Sequence, residues 1–226
     1  MHDPRSELGR RLFCLAAALL MAAGFHTGAS AQTPLIAAAE NGDIAALQNA
    51  LQDGAAIEER DERQRTALMA AVQANRTDAA RLLIEAGADV NAKDGIEDSP
   101  YLLAGARGYL DILRLTLEHG ADLASTNRYG GTALIPAADR GHVETVRTLI
   151  EAGVNLDHVN KLGWTALLEA VILGDGGPNH QAIVELLVKA GADTDIADRE
   201  GVTALQHAKR SGYAQMVKTL EAAGAQ

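Results

Sequence analysis

One phrase of this chain returns at a fixed distance. Threonine or serine opens it at Thr33, Thr66, Ser99, Thr132 and Thr165, always 33 residues apart, and Thr203 opens a sixth copy after an interval of 38. Self-similarity at such a period means a stack of like supersecondary units, each burying its apolar face against the next. A chain built this way presents a long surface rather than a closed pocket. The one irregular interval is then a local anomaly that needs its own account.

Within each copy the residues read as two helices. Thr or Ser is an N-cap, because its hydroxyl accepts a hydrogen bond from an N–H that the first turn leaves unpaired. Pro34 and Pro100 follow directly, where a missing N–H costs nothing. Alanine stands five places after the opening residue in every copy, at Ala38, Ala71, Ala104, Ala137, Ala170 and Ala208. Side chains this small let neighbouring helices approach closely. Nine places after the opening residue, Gly42, Gly108, Gly141, Gly174 and Gly212 are expected to close the first helix in a left-handed conformation, with Asn75 taking that role in the second copy. A second amphipathic helix follows, for example Val143, Val146, Leu149 and Ile150, and it too ends at glycine.

The recurring phrase resembles the ankyrin repeat, whose pattern runs Thr-Pro-Leu-His-x-Ala, then Gly-His, Leu-Leu and Gly-Ala-Asp. The resemblance covers residues 33–225. It implies an all-α solenoid of six helix-turn-helix units, with hairpin-like finger loops projecting from one side and a concave face beneath them. One departure is systematic: the family's His is replaced by Ile36, Met69, Leu102, Ile135, Leu168 and Gln206. The last copy is polar, with Glu221 where the others carry Leu51, Ile84, Leu117, Ile150 and Val188, as a terminal unit facing water requires.

Residues 1–31 read as a cleavable signal peptide and residues 32–226 as a single repeat domain. Arg5, Arg10 and Arg11 precede a 14-residue apolar run from Leu12 to Phe25, and Ala29-Ser30-Ala31 is a small-residue cleavage signature. Export to the periplasm or beyond is therefore expected, by the Sec or the twin-arginine route. The fourth copy and the irregular fifth also resemble a bacterial group of exported ankyrin proteins, some of which are linked to oxidative-stress defence.

Removing residues 1–31 takes away Cys14, the only cysteine, and leaves 17 basic against 28 acidic residues, a net charge of −11. Such a balance argues against a nucleic acid as partner, which would need clustered Lys and Arg, and against anionic membrane. No cofactor is expected, and the expected state is a monomer.

The positions most open to partner recognition lie just before each opening Thr. Ile96, Arg128, Tyr129, Lys161, Leu162, Trp164 and Arg199 are expected to form a protein-binding site, because aromatic residues and arginine dominate interface hot spots. Arg128, Lys161 and Arg199 recur at one register as a basic row. The plainer alternatives are that Trp164 packs over the neighbouring turn and that the row is merely solvated.

A second candidate is Glu169 with His207, which occupy equivalent places on successive first helices, about 10 Å apart at ordinary helix spacing. They could share a water or a metal, although two ligands are too few for a closed zinc site and an exposed ion pair is the plainer reading. Together with His180 they would make the site of an accessory protein binding a metal or small ligand. Alignment through the long interval identifies Asp175-Gly176-Gly177-Pro178-Asn179 as an insertion that lengthens the turn, and gives His180 the repeat position of His142. No cysteine nucleophile, Gly-x-Ser-x-Gly elbow, phosphate loop or His-Glu-x-x-His pair is present in the mature chain, so no catalytic residue and no enzymatic activity are expected.

Overall fold

The computed structural model describes residues 33–225, within the compact unit Gln32–Gln226. The signal-peptide expectation falls on residues 1–31 and lies outside the described residues. Twelve α-helices and no strand occur among the described residues. They form six pairs: α1 Pro34–Asn41 with α2 Ile44–Gln52, α3 Ala67–Gln73 with α4 Thr77–Glu85, α5 Pro100–Arg107 with α6 Leu110–Glu118, α7 Leu134–Asp139 with α8 Val143–Glu151, α9 Ala166–Ile172 with α10 Pro178–Lys189, and α11 Ala204–Ser211 with α12 Ala214–Ala222. First helices pack on first helices and second on second, so the stack has two layers and one continuous core. None of these helices is long and apolar enough to cross a membrane.

The small alanines do what their position requires. Ala71, Ala104, Ala137, Ala170 and Ala208 are fully buried where successive first helices meet. Ile36, Met69, Leu102, Ile135 and Leu168 are buried as well, so the place where the family carries His is here part of the apolar core. Gln206 departs from these five and completes a capping box with Thr203. On the terminal face Glu221 pairs with Lys209 at 2.8 Å, which gives the last unit its polar exterior.

Five of the six opening residues cap as expected. The hydroxyls of Thr33, Thr66, Ser99, Thr165 and Thr203 accept the N–H three residues on. Thr132 does not, and the cause is Pro136. In the other copies the N–H four residues on bonds the carbonyl of the opening residue, but proline has none to offer. The Ile135 N–H therefore turns to the Thr132 carbonyl at 3.3 Å, and the buried Thr132 hydroxyl is left without a partner. The helix α7 is accordingly the shortest of the twelve, with six residues.

The fifth copy corrects two expectations. Gly42, Gly108, Gly141, Gly212 and Asn75 all have positive φ, but Gly174 does not, and Gly176 takes the left-handed place instead. The insertion, moreover, does not simply lengthen a turn. Gly177 becomes the N-cap and Pro178 the first residue of α10, which reaches 12 residues against nine in the other second helices. Proline's fixed φ suits that position, so part of the inserted sequence is absorbed as an extra helical turn.

Candidate finger-groove interface

Between successive pairs the chain makes five short fingers, 61–65, 94–98, 127–131, 160–164 and 198–202. Each is organised by its first residue. Oδ1 of Asp61, Asp94, Asn127, Asn160 and Asp198 accepts the N–H two and four residues on. The N–H of each first residue donates to the carbonyl of the fifth, and the fourth residue adopts positive φ. This is an Asx-closed loop repeated in register. The sequence signal is an acidic or amide side chain five places before every opening Thr or Ser from Thr66 onward.

The fourth finger position is glycine in the last three fingers but Gln64 (φ 60°) and Glu97 (φ 67°) in the first two. A left-handed residue with a side chain costs about 1 kcal/mol. Gln64→Gly and Glu97→Gly are each expected to raise unfolding free energy by about 0.5–1 kcal/mol, read as a higher urea midpoint at unchanged slope. A fall in the midpoint would mean that these side chains make contacts worth more than the strain.

Adjacent fingers are tied together. Main-chain bonds of 2.9 Å run from the Gly95 N–H to the Arg63 carbonyl and from the Lys161 N–H to the Tyr129 carbonyl. Side chains add staples between fingers: Lys161 Nζ donates to the Arg128 carbonyl at 2.9 Å, Arg199 donates to the Lys161 carbonyl, and Lys93 Nζ donates to the Thr126 carbonyl at 2.7 Å. The basic row thus exists at the expected register, but Lys161 and Arg199 reach back to the neighbouring main chain instead of standing free. Arg128 faces Asp98 at 3.5 Å and stacks over the Tyr129 ring, 4.6 Å from its centroid.

The residue two places into each finger projects at its tip, and this register reads Arg63, Ile96, Tyr129, Leu162, Glu200. Ile96, Tyr129 and Leu162 are 52%, 54% and 48% exposed, unusually high for large apolar side chains. Beneath them a groove of about 640 Å³ runs between the fingers and the first helices. Ile96, Arg128, Tyr129, Leu162 and Glu169, five of the expected site residues, border this one groove. Lys161, Trp164, Arg199, His180 and His207 do not. Trp164 is half-buried and packs against the hydrophobic core.

Glu169 and His207 have different partners. Glu169 is only 6% exposed and accepts a 2.8 Å bond from Asn160 Nδ2, while His207 Nε2 donates to Asp198 Oδ2 at 2.6 Å. Each side chain thus braces the organising residue of its own finger, nine positions back in the chain. The exposed ion pair anticipated for Glu169 is replaced by a buried carboxyl. Burial, and then the negative charge of Asp139, raise its pKa to about 7. His180 is also buried. Its Nδ1 lies 2.8 Å from Asp175 Oδ1 and its Nε2 lies 2.8 Å from the Asp139 carbonyl oxygen, so both ring nitrogens are turned to acceptors in the protein. No group of three or more His, Cys, Asp or Glu side chains able to hold a metal converges among the described residues.

The family model for ankyrin repeats (three copies) matches residues 11–94 and 101–198. The chain belongs to the ankyrin repeat family. An ankyrin repeat domain from Acinetobacter baumannii AYE is 65% identical and superposes with a TM-score of 0.84, covering 85% of this chain and 98% of that one. A further solved ankyrin repeat protein is 43% identical at a TM-score of 0.80, with 83% and 96% covered. The ankyrin repeat domain of Bcl-3, a member of the IkappaB protein family, is 30% identical at a TM-score of 0.77, with 87% and 88% covered. The ankyrin repeat protein YahD of Escherichia coli K12 is 44% identical over 57 residues, 25% of this chain and 28% of its own length, so the match spans just over a quarter of that relative. Ankyrin repeat chains are typically protein-binding scaffolds and generally non-catalytic.

Proposed function

We propose that this ankyrin chain is an exported, non-catalytic scaffold that binds a partner protein through its middle fingers. The observation that carries this reading is the row of Ile96, Tyr129 and Leu162, three large apolar side chains exposed at one register above a groove. Scattered single apolar residues on a surface need no explanation, but a row of them at one register bordering a single groove points to an interaction site. The Asx turns and inter-finger staples hold the row rigid before binding, so little ordering entropy opposes association. Arg128, stacked on Tyr129, supplies the guanidinium that commonly accompanies aromatic hot spots. Export follows from the composition of residues 1–31, and the partner would then share the periplasm or the extracellular space.

The test is the triple change Ile96→Ser, Tyr129→Ala and Leu162→Ser in the mature chain, beside a photo-crosslinking residue at position 129. Crosslinking from position 129 should yield a discrete partner, and the triple variant should lose affinity for that partner by tenfold or more. Thermal stability should change little, since exposed side chains away from the core seldom exceed about 0.5 kcal/mol. Undiminished affinity in a folded triple variant would remove the fingertip row from the binding site.

A further inference from the structure

The tips are not only apolar but evenly stepped, and their spacing selects a partner conformation. Successive first helices pack directly on one another, so one repeat advances by one helix-packing distance, roughly 8–10 Å. From Arg63 to Glu200 are four steps, about 32–40 Å in all by that spacing. A polyproline-II segment has three residues per turn and rises about 3.1 Å per residue, so side chains at every third position share one face and recur each 9.3 Å. Thirteen residues of such a segment cover about 37 Å, which falls within the span of the row.

The alternatives fit less well. In a β-strand a step of three residues also covers about 10 Å, but successive side chains then point to opposite faces. In a straight α-helix seven residues cover about 10.5 Å, but the side chains drift by roughly 20° per heptad and leave the row after a few tips. The ends of the row add charge. Arg63 and Glu200 are exposed and neither has a side-chain partner among the described residues, so the register reads cation, apolar, apolar, apolar, anion. Arg107, exposed beside the groove, offers a guanidinium to the main-chain carbonyls that a polyproline-II segment leaves unpaired.

We infer that the fingertip row reads a polyproline-II segment of a partner protein whose residues at every third position run acidic, apolar, apolar, apolar, basic. The acidic end lies over Arg63 and the basic end over Glu200. The inference rests on the protein-binding role proposed for the same tips, and names the chemistry of what they bind.

The probe is the capped peptide Glu-Ser-Pro-Leu-Ser-Pro-Leu-Ser-Pro-Leu-Ser-Pro-Lys, together with its reversed sequence, since either chain direction can present the register. Titration followed by NMR is expected to show one of the two binding about tenfold or more tighter than a permutation of the same residues with leucines at every second position. Tyr129→Ala should weaken that peptide about tenfold. Arg63→Glu should weaken it several-fold, yet leave unchanged the affinity of a probe carrying glutamine at the acidic position, which isolates the charge pair. Equal binding of the permuted peptide, tighter binding of a helical peptide with apolar residues every seventh position, or no binding by any probe overturns the inference. The first two results leave the tips as a protein-binding surface. Failure of that broader role is read separately, from a triple tip variant that keeps its crosslinked partner.

Discussion

Gly174→Ala is expected to destabilise the domain by about 3 kcal/mol or more, since no small adjustment can relieve the clash it creates. A Cβ at position 174 would stand 2.2 Å from the Ala170 carbonyl oxygen and 2.7 Å from the His180 ring. The first neighbour is main chain within its own repeat, and the second is a buried ring held by Asp175 and by the Asp139 carbonyl. Moving His180 would disturb its hydrogen bond to the fourth repeat at the Asp139 carbonyl. Gly153→Ala is the control. It has φ of 84° but nothing within 4 Å of a new Cβ, so it should cost only the left-handed penalty of about 1 kcal/mol. For a domain of this size each kcal/mol moves the thermal midpoint by roughly 2–4 °C, so calorimetry should separate the two by several degrees. Equal shifts would mean that the inserted loop does not hold Gly174 against His180.

The contrast between these glycines shows what a sequence of this kind reveals. The stack, the helix pairs and five of the six hydroxyl caps were legible because each rests on chemistry within a few residues, repeated until coincidence is excluded. Thr132 was legible in principle: Pro136 stands where an N–H is needed, four places on. Gly174 was not, because its glycine is required by the Ala170 carbonyl and the His180 ring close beside it rather than by a positive φ.

The candidate site divides in the same way. Ile96, Tyr129 and Leu162 could be named from their place before the opening Thr, and the structure sets them at one tip register above a groove. Lys161 and Arg199 shared a register too, but their partners are carbonyls of the preceding finger, a repeat away in sequence. Nor did spacing alone show that Glu169 and His207 turn back to Asn160 and Asp198. Position on the first helix was readable. Direction of the side chain depended on the finger folding over it.

Glu169→Gln is expected to stabilise the domain at pH 8 and to change nothing at pH 4. Burial and the charge of Asp139 raise the carboxyl from its ordinary 4.5 to about 7 in the folded chain. Between those values the folded state keeps a proton that the unfolded state releases, so this residue's contribution falls as pH rises through the window. Above about pH 7 both states are ionised, and the full cost of holding a buried charge is present. Glutamine keeps the acceptor oxygen for Asn160 Nδ2 and carries no charge at any pH. The variant should therefore exceed the parent by on the order of 2–3 kcal/mol at pH 8, with the difference vanishing below about pH 4.5. Urea unfolding of both proteins across that range reads the difference directly, since every other titrating group is common to the pair. A constant difference would assign the gain to something other than ionisation, and a loss of stability at pH 8 would mean that the charged carboxylate is held by favourable contacts. Because Glu169 braces Asn160, and Asn160 closes the finger that carries Leu162, the same substitution should leave fingertip affinity intact if the brace is the hydrogen bond rather than the charge.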